Sequence, residues 1–150
     1  MLWLEHGWLA GDDTDSHVDQ LARFCDERTI AYAACDDAGD EHYAELQAMA
    51  AELAALRDAD GRPYTLVPLP LPQTKRGSDG RRLAASYANF LIINGAVLVP
   101  VYNDPADQIA LDRLAACFPG RAIVDIPCLS LISQNGSLHC ATMQIPAGVL

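Results

Sequence analysis

Tyr87-Ala88-Asn89-Phe90-Leu91-Ile92-Ile93-Asn94-Gly95-Ala96-Val97-Leu98-Val99-Pro100-Val101 decides the fold. Two apolar runs flank Asn94-Gly95, the strongest short-range hairpin signal a sequence can carry. The expectation is a strand over 87–93 and its partner over 96–101. Toward the C-terminus, Pro105 opens a helix that Asp104 is placed to cap. Ile109, Leu111, Leu114 and Phe118 mark its apolar face, Pro119-Gly120 ends it, and 121–126 reads as a further strand. The unit is strand-strand-helix-strand.

Toward the N-terminus the same order recurs. Residues 17–25, HVDQLARFC, read as a strand, Asp26-Glu27-Arg28 as a turn, and 29–35, TIAYAAC, as a second strand. A helix is expected from about 40 to 57, because Leu46, Met49, Leu53 and Leu56 recur every three or four residues. Residues 64–69 read as a third strand, which Pro68, Pro70 and Pro72 are expected to stop. The Gly-, Ser- and base-rich stretch 73–82 reads as an exposed, mobile loop. The fold class is therefore α/β, with two ββαβ modules at about 17–69 and 87–126. A loop and a last short strand carrying Cys140 complete it over 129–145. One such unit cannot cover its own sheet, so stacking of neighbours is expected.

With 150 residues and 51% hydrophobic content, the chain is long and apolar enough for a folded domain with its own core. No apolar run approaches the ~20 residues of a membrane helix. Met1-Leu2-Trp3-Leu4 runs straight into Glu5-His6 and lacks the basic start and long apolar stretch of a leader, so a cytoplasmic location is expected. The net charge of −10 argues against nucleic acid and favours a small cation as partner. Five cysteines without a CxxC suggest neither a disulfide framework nor a zinc ribbon. Cys25, Cys35, Cys117 and Cys128 read as small apolar residues.

Cys140 is set apart by its neighbours, Asn135-Gly136-Ser137-Leu138-His139-Cys140. A glycine there allows close backbone approach, and a thiol at a strand end can serve as a nucleophile. His139, adjacent in a strand, is expected to point the other way and to serve as a packed or hydrogen-bonded support. His17 and Asp19, two apart, would share a strand face, one suited to acid–base work and the other to gripping a cation. A core or metal-bound histidine fits His-x-Asp equally. Asp12, Asp13 and Asp15 could ring a cationic substrate or simply be solvated, and their spacing is not that of a calcium loop. Asn89 within an apolar strand needs hydrogen-bond partners and reads as orienting a catalytic group or a turn. Trp3 and Trp8 are expected to pack the first strand or to wall a pocket.

The segments Gly11-Asp12-Asp13-Thr14-Asp15-Ser16-His17-Val18-Asp19, Ala85-Ser86-Tyr87-Ala88-Asn89-Phe90-Leu91-Ile92 and Asn135–Cys140 together resemble the agmatine deiminase and bacterial-type peptidylarginine deiminase family, within the guanidino-group-modifying superfamily. The resemblance runs over nearly the whole chain. It departs from the family pattern in Ser16 before His17 and in Gln134-Asn135-Gly136 before the nucleophile segment. It implies a five-bladed α/β propeller, the pentein fold, of which this chain corresponds to the C-terminal half. It also implies roles: Cys140 as nucleophile, His17 as general acid and base, Asp19 as guanidinium ligand, and Asp13 and Asn89 near the substrate. The implied reaction is hydrolysis of agmatine to N-carbamoylputrescine and ammonia, in putrescine biosynthesis, with no metal or organic cofactor. Deimination of arginine or peptidylarginine to citrulline is the alternative. A third reading is an inactive guanidinium-binding or oligomerisation fragment that associates with itself or with a missing N-terminal half. A zinc site at His17, His139 and Cys140 is a more distant one.

Overall fold

The computed structural model describes residues 2–12, 17–146 and 148–149. Its elements are β1 (Ala22–Phe24), β2 (Thr29–Ala34), α1 (Tyr43–Ala55), β3 (Thr65–Pro70), β4 (Leu91–Ile93), β5 (Ala96–Val101), α2 (Asp107–Cys117) and β6 (Ala122–Pro127). Each sheet has three strands, in the orders β1-β2-β3 and β4-β5-β6. The first pair of each is antiparallel and the second parallel. A parallel pair needs a long crossover, and α1 and α2 supply it. Two ββαβ modules result, built over 22–70 and 91–127.

Local chemistry sets these elements. Gly95 provides the positive φ (78°) of the β4–β5 turn. Before α2, Asp104 Oδ1 accepts from the Ala106 amide (3.0 Å) while Asp107 Oδ2 accepts from the Asp104 amide (2.9 Å). This reciprocal pair satisfies two orphan donors of the helix entrance. On α1, Leu46, Met49 and Leu53 are buried against the first sheet, each contributing about 1.5–3 kcal/mol by leaving water. On α2 the buried residues are Ala110 and Leu114; Ile109, expected inside, is exposed. The larger core cluster joins Ala31 and Leu69 of the first module to Val97, Val99 and Leu114 of the second, so the modules share one interior.

Three strand expectations are corrected. Residues 17–25 are not one strand: a 3-10 turn, Val18–Gln20, precedes β1. Residues 87–93 likewise split into a 3-10 turn, Tyr87–Asn89, and β4. Ser86 Oγ accepts from the Ala88 amide (3.2 Å), offering the backbone an alternative to the ladder. The register supplies a second reason. Leu91 faces Leu98, so continuing β4 would set Asn89 opposite Pro100, which has no amide to offer. The third correction is the last strand, which does not form; the 3-10 turns Leu131–Gln134 and His139–Ala141 stand there instead. The third strand matches its expected bounds within one residue: β3 holds Pro68 and ends at Pro70, since an edge strand tolerates a missing N–H on its open side.

The stretch 73–82 is pinned rather than loose. Lys75 pairs with Asp104 (2.8 Å), and Arg82 pairs with Asp40 (2.7 Å) and Glu41 (2.9 Å). Trp3 is 77% exposed and lines an open hollow with Leu4 and Val18, whereas Trp8 lies against His42, with ring centroids 5.3 Å apart. Cys35 and Cys128 are buried, Cys25 and Cys117 half-buried, and Cys140 exposed. Among the described residues, no helix is long and apolar enough to cross a membrane.

Candidate active site

Three short turns meet at one place. The turn Val18–Gln20 brings Asp19, Tyr87–Asn89 brings Asn89, and His139–Ala141 brings Cys140. The Cys140 thiol donates to Asp19 Oδ2 at 3.3 Å, across 121 positions of sequence. His139 Nδ1 lies 2.8 Å from the same oxygen, and His17 Nδ1 lies 2.7 Å from Asp19 Oδ1. Asp19 is buried and His17 exposed. A thiol, two imidazoles and a carboxylate therefore converge, with the carboxylate at the centre.

Asn89 is the hub that joins the turns. It is fully buried. Its Nδ2 donates to the Asp19 carbonyl (3.2 Å) and to Cys140 Sγ (3.3 Å). Its Oδ1 accepts from the amides of His139 (2.7 Å) and Cys140 (3.4 Å). A primary amide has two donors and two acceptor sites, and all four are used on protein. Asn89 thus lies between the two segments that carry Asp19 and Cys140, in keeping with its reading as a residue that orients a neighbouring group.

A buried hydroxyl chain backs the hub. The Tyr102 hydroxyl donates to the Ser86 carbonyl (3.0 Å), accepts from the Ser86 amide (3.2 Å) and meets Ser137 Oγ at 2.9 Å. It thereby ties the start of the Asn89 turn to the segment leading to Cys140. Gly136 packs on Cys140 itself: a Cβ there would lie 3.1 Å from Cys140 Cβ.

Burial pushes the Asp19 carboxyl up, but contacts with His139, His17 and the Cys140 thiol outweigh it and hold the group below the usual carboxylate value. Burial pushes the Cys140 thiol up, and Asp19 adds to the rise; hydrogen bonds from the Ser137 backbone and the Asn89 amide work against it. The ionised carboxylate thus favours a neutral thiol while the site holds no cation. Arg23 stands nearby, with Nη1 donating to the Phe90 carbonyl and its guanidinium carbon 4.9 Å from the Phe90 ring centroid. Burial pulls its guanidinium below the usual value, and Asp19, Cys25 and Cys140 work against that fall.

Cys140, His17 and Asp19 are brought together as the sequence suggests, though on turns and not on strands. Asp13 and Asp15 lie outside the described residues. His139 was expected to turn away from Cys140; on a 3-10 turn it reaches the same carboxylate oxygen. Arg23 and Gln20 also border the site, and the signal for them in the sequence is an amide one position and a base four positions after Asp19. Among the described residues, no three His, Cys, Asp or Glu side chains form an arrangement that would hold a metal ion.

A family model described as Porphyromonas-type peptidyl-arginine deiminase matches residues 1–146. The agmatine deiminase of Stutzerimonas stutzeri is 37% identical over 164 residues, covering 98% of this chain and 44% of its own length. A solved protein of Porphyromonas gingivalis, provisionally assigned as an arginine deiminase, superposes with a TM-score of 0.95 at 55% identity, over 98% of this chain and 43% of that one. A cysteine-to-serine variant of C. jejuni agmatine deiminase with substrate bound gives a TM-score of 0.84 at 45% identity, over 91% and 39% of the two chains. The chain spans less than half the length of these relatives.

Proposed function

The chain belongs to the Porphyromonas-type peptidyl-arginine deiminase family, and from that premise we propose that it carries the nucleophile half of a guanidinium-hydrolysing site. The observation that carries this reading is the meeting of Cys140, Asp19, His17 and His139 around one buried carboxylate. Asp19 grips the planar cation through paired N–H donors. A cation seated between Asp19 and Sγ offsets the carboxylate's effect on the thiol, so substrate itself favours the thiolate. Cys140 Sγ then attacks the guanidinium carbon. His17 protonates the departing nitrogen, the C–N bond breaks, and ammonia leaves an amidino thioether. His17 next takes a proton from water, which adds to the same carbon; the C–S bond breaks and a ureido product leaves. No step needs a metal or organic cofactor. His139 braces Asp19 throughout.

Agmatine is the leading substrate, giving N-carbamoylputrescine, a reading supported by similar curated proteins of Stutzerimonas stutzeri and Pseudomonas putida that are named agmatine deiminase. On this reading the reaction belongs to putrescine formation, and the location proposed for it is the cytoplasm. Arginine in a peptide is the second substrate reading, favoured by the family description. The ββαβ modules fit a five-bladed propeller completed by further modules, either in a longer chain or by association.

The test is ureido product from agmatine, with an arginine peptide assayed beside it. Product from the wild-type chain and none from Cys140→Ala supports the reading. Product from both removes Cys140 as nucleophile, and product from neither removes catalysis by this chain alone.

A further inference from the structure

The two modules open in the same way. In each, a three-residue 3-10 turn is followed by one linking residue, Leu21 or Phe90, and then by a three-residue strand. This layout places Gln20 where the second module has Asn89, at the last position of the turn. Both side chains are amides, and both residues are buried, at 1% and 0% exposure. Both nitrogens face Cys140 Sγ, Asn89 Nδ2 at 3.3 Å and Gln20 Nε2 at 4.0 Å.

The oxygens differ. Asn89 Oδ1 accepts two backbone amides. Gln20 Oε1 is buried and has no hydrogen-bond partner among the described residues. Asp19 Oδ1, on the preceding residue, touches His17 but has no well-aligned donor either. Buried acceptors rarely stay unpaired, so two consecutive ones beside a reactive thiol call for donors from outside the protein.

Resting on the deiminase reading above, we propose that Gln20 is a substrate-contacting residue whose carbonyl oxygen accepts an N–H of the same guanidinium that Asp19 grips and Cys140 attacks. The two atoms of an amide share one carbon, so an oxygen whose partner nitrogen lies 4.0 Å from Sγ serves the reacting end of the substrate. The distal end lies beyond its reach. Gln20 and Asp19 then form one reading unit, a neutral acceptor and a charged one on consecutive residues. The charge supplies attraction to any cation. The amide supplies preference for a planar group rich in N–H donors over a plain ammonium.

The test uses calorimetric binding to the full chain carrying Cys140→Ala, which cannot turn substrate over. Two probes are compared: agmatine, and 1,5-diaminopentane, which has an ammonium in place of the guanidinium. Adding Gln20→Met should weaken agmatine about tenfold, the effect of one hydrogen bond to a charged group, and leave the diamine unchanged. Should Gln20→Met fail to fold, Gln20→Asn withdraws the amide by one methylene and should give the same split. Unchanged agmatine affinity, or equal weakening of both probes, overturns the proposal. If Asp19→Asn still weakens agmatine in that case, the deiminase reading stands without it. If the Cys140→Ala chain binds no agmatine at all, the deiminase reading fails and the role of Gln20 with it.

Discussion

The turn Val18–Gln20 and the turn Tyr87–Asn89 occupy matching places in their modules and pack against each other. The second turn spends its polar groups inward. Asn89 has four protein hydrogen bonds, Tyr87 donates to Asp107 (2.7 Å) and Ser86 caps the turn. The first turn leaves acceptors unspent, with Asp19 Oδ1 and Gln20 Oε1 buried and poorly served. Repetition of a module thus supplies two copies of one backbone device. One copy holds the Cys140 segment in place, and the other keeps hydrogen-bonding capacity that a cation could use. An unpaired buried acceptor costs stability, and the fully bonded partner turn sits directly behind it to bear that cost.

Replacing the hub should show the largest effect. Asn89→Leu leaves the Asp19 carbonyl and two backbone amides unpaired, and unfolding in urea should show a loss of about 3 kcal/mol or more. The matching change, Gln20→Met, should cost less than about 1 kcal/mol, because its oxygen has no bond to lose. Equal losses at the two positions would break the comparison.

Asp19→Asn should remove detectable ureido product while leaving the fold. It should also flatten the acid limb of stability. Because the folded carboxyl is held below its ordinary value, its contribution is complete above that value and disappears as pH falls through the lower, folded one. A wild-type acid limb identical to that of the variant would contradict this.

Alkylation of Cys140 by iodoacetamide sharpens the picture without needing turnover. The wild-type rate should rise with pH only above the ordinary thiol range, since burial and Asp19 both raise the group. Asp19→Asn, or saturating agmatine, should move the profile to lower pH. A profile that stays put in both cases would remove the carboxylate's hold on the thiol.

Tyr102→Phe deletes a hydroxyl with three partners and should cost about 1–2 kcal/mol, with slower alkylation of Cys140 if the chain through Ser137 sets the thiol's position. The smallest effect on the site belongs to the control, Asp104→Ala, which frees Lys75 and the Gln73 and Ala106 amides, should cost more than about 1 kcal/mol of stability and should leave the alkylation profile untouched.

Much of this was legible in the residues. Asn94-Gly95 between apolar runs, Asp104-Pro105 before a periodic stretch, and leucines spaced three or four apart mark hairpin, cap and helix by local rules. The order ββαβ follows from them. Cys140, His17 and Asp19 were legible as reactive types in distinctive surroundings. The misreadings share one cause. At 17–25, 87–93 and 139–141 an apolar-looking stretch has its polar side chains paired outside the ladder, and strand propensity does not register that.

What the sequence alone determined is the set of locally encoded elements and the inventory of reactive groups, because turn chemistry, caps and hydrophobic period act over a few residues. Only the tertiary structure decided which groups meet and in what state. Packing of one turn on another set Asp19 between two imidazoles and a thiol, gave all four bonds to Asn89 and left the Gln20 side-chain oxygen without a partner among the described residues. Burial and neighbouring charge, which depend on residues up to 121 positions away, then moved the Asp19 carboxyl down and the Cys140 thiol up.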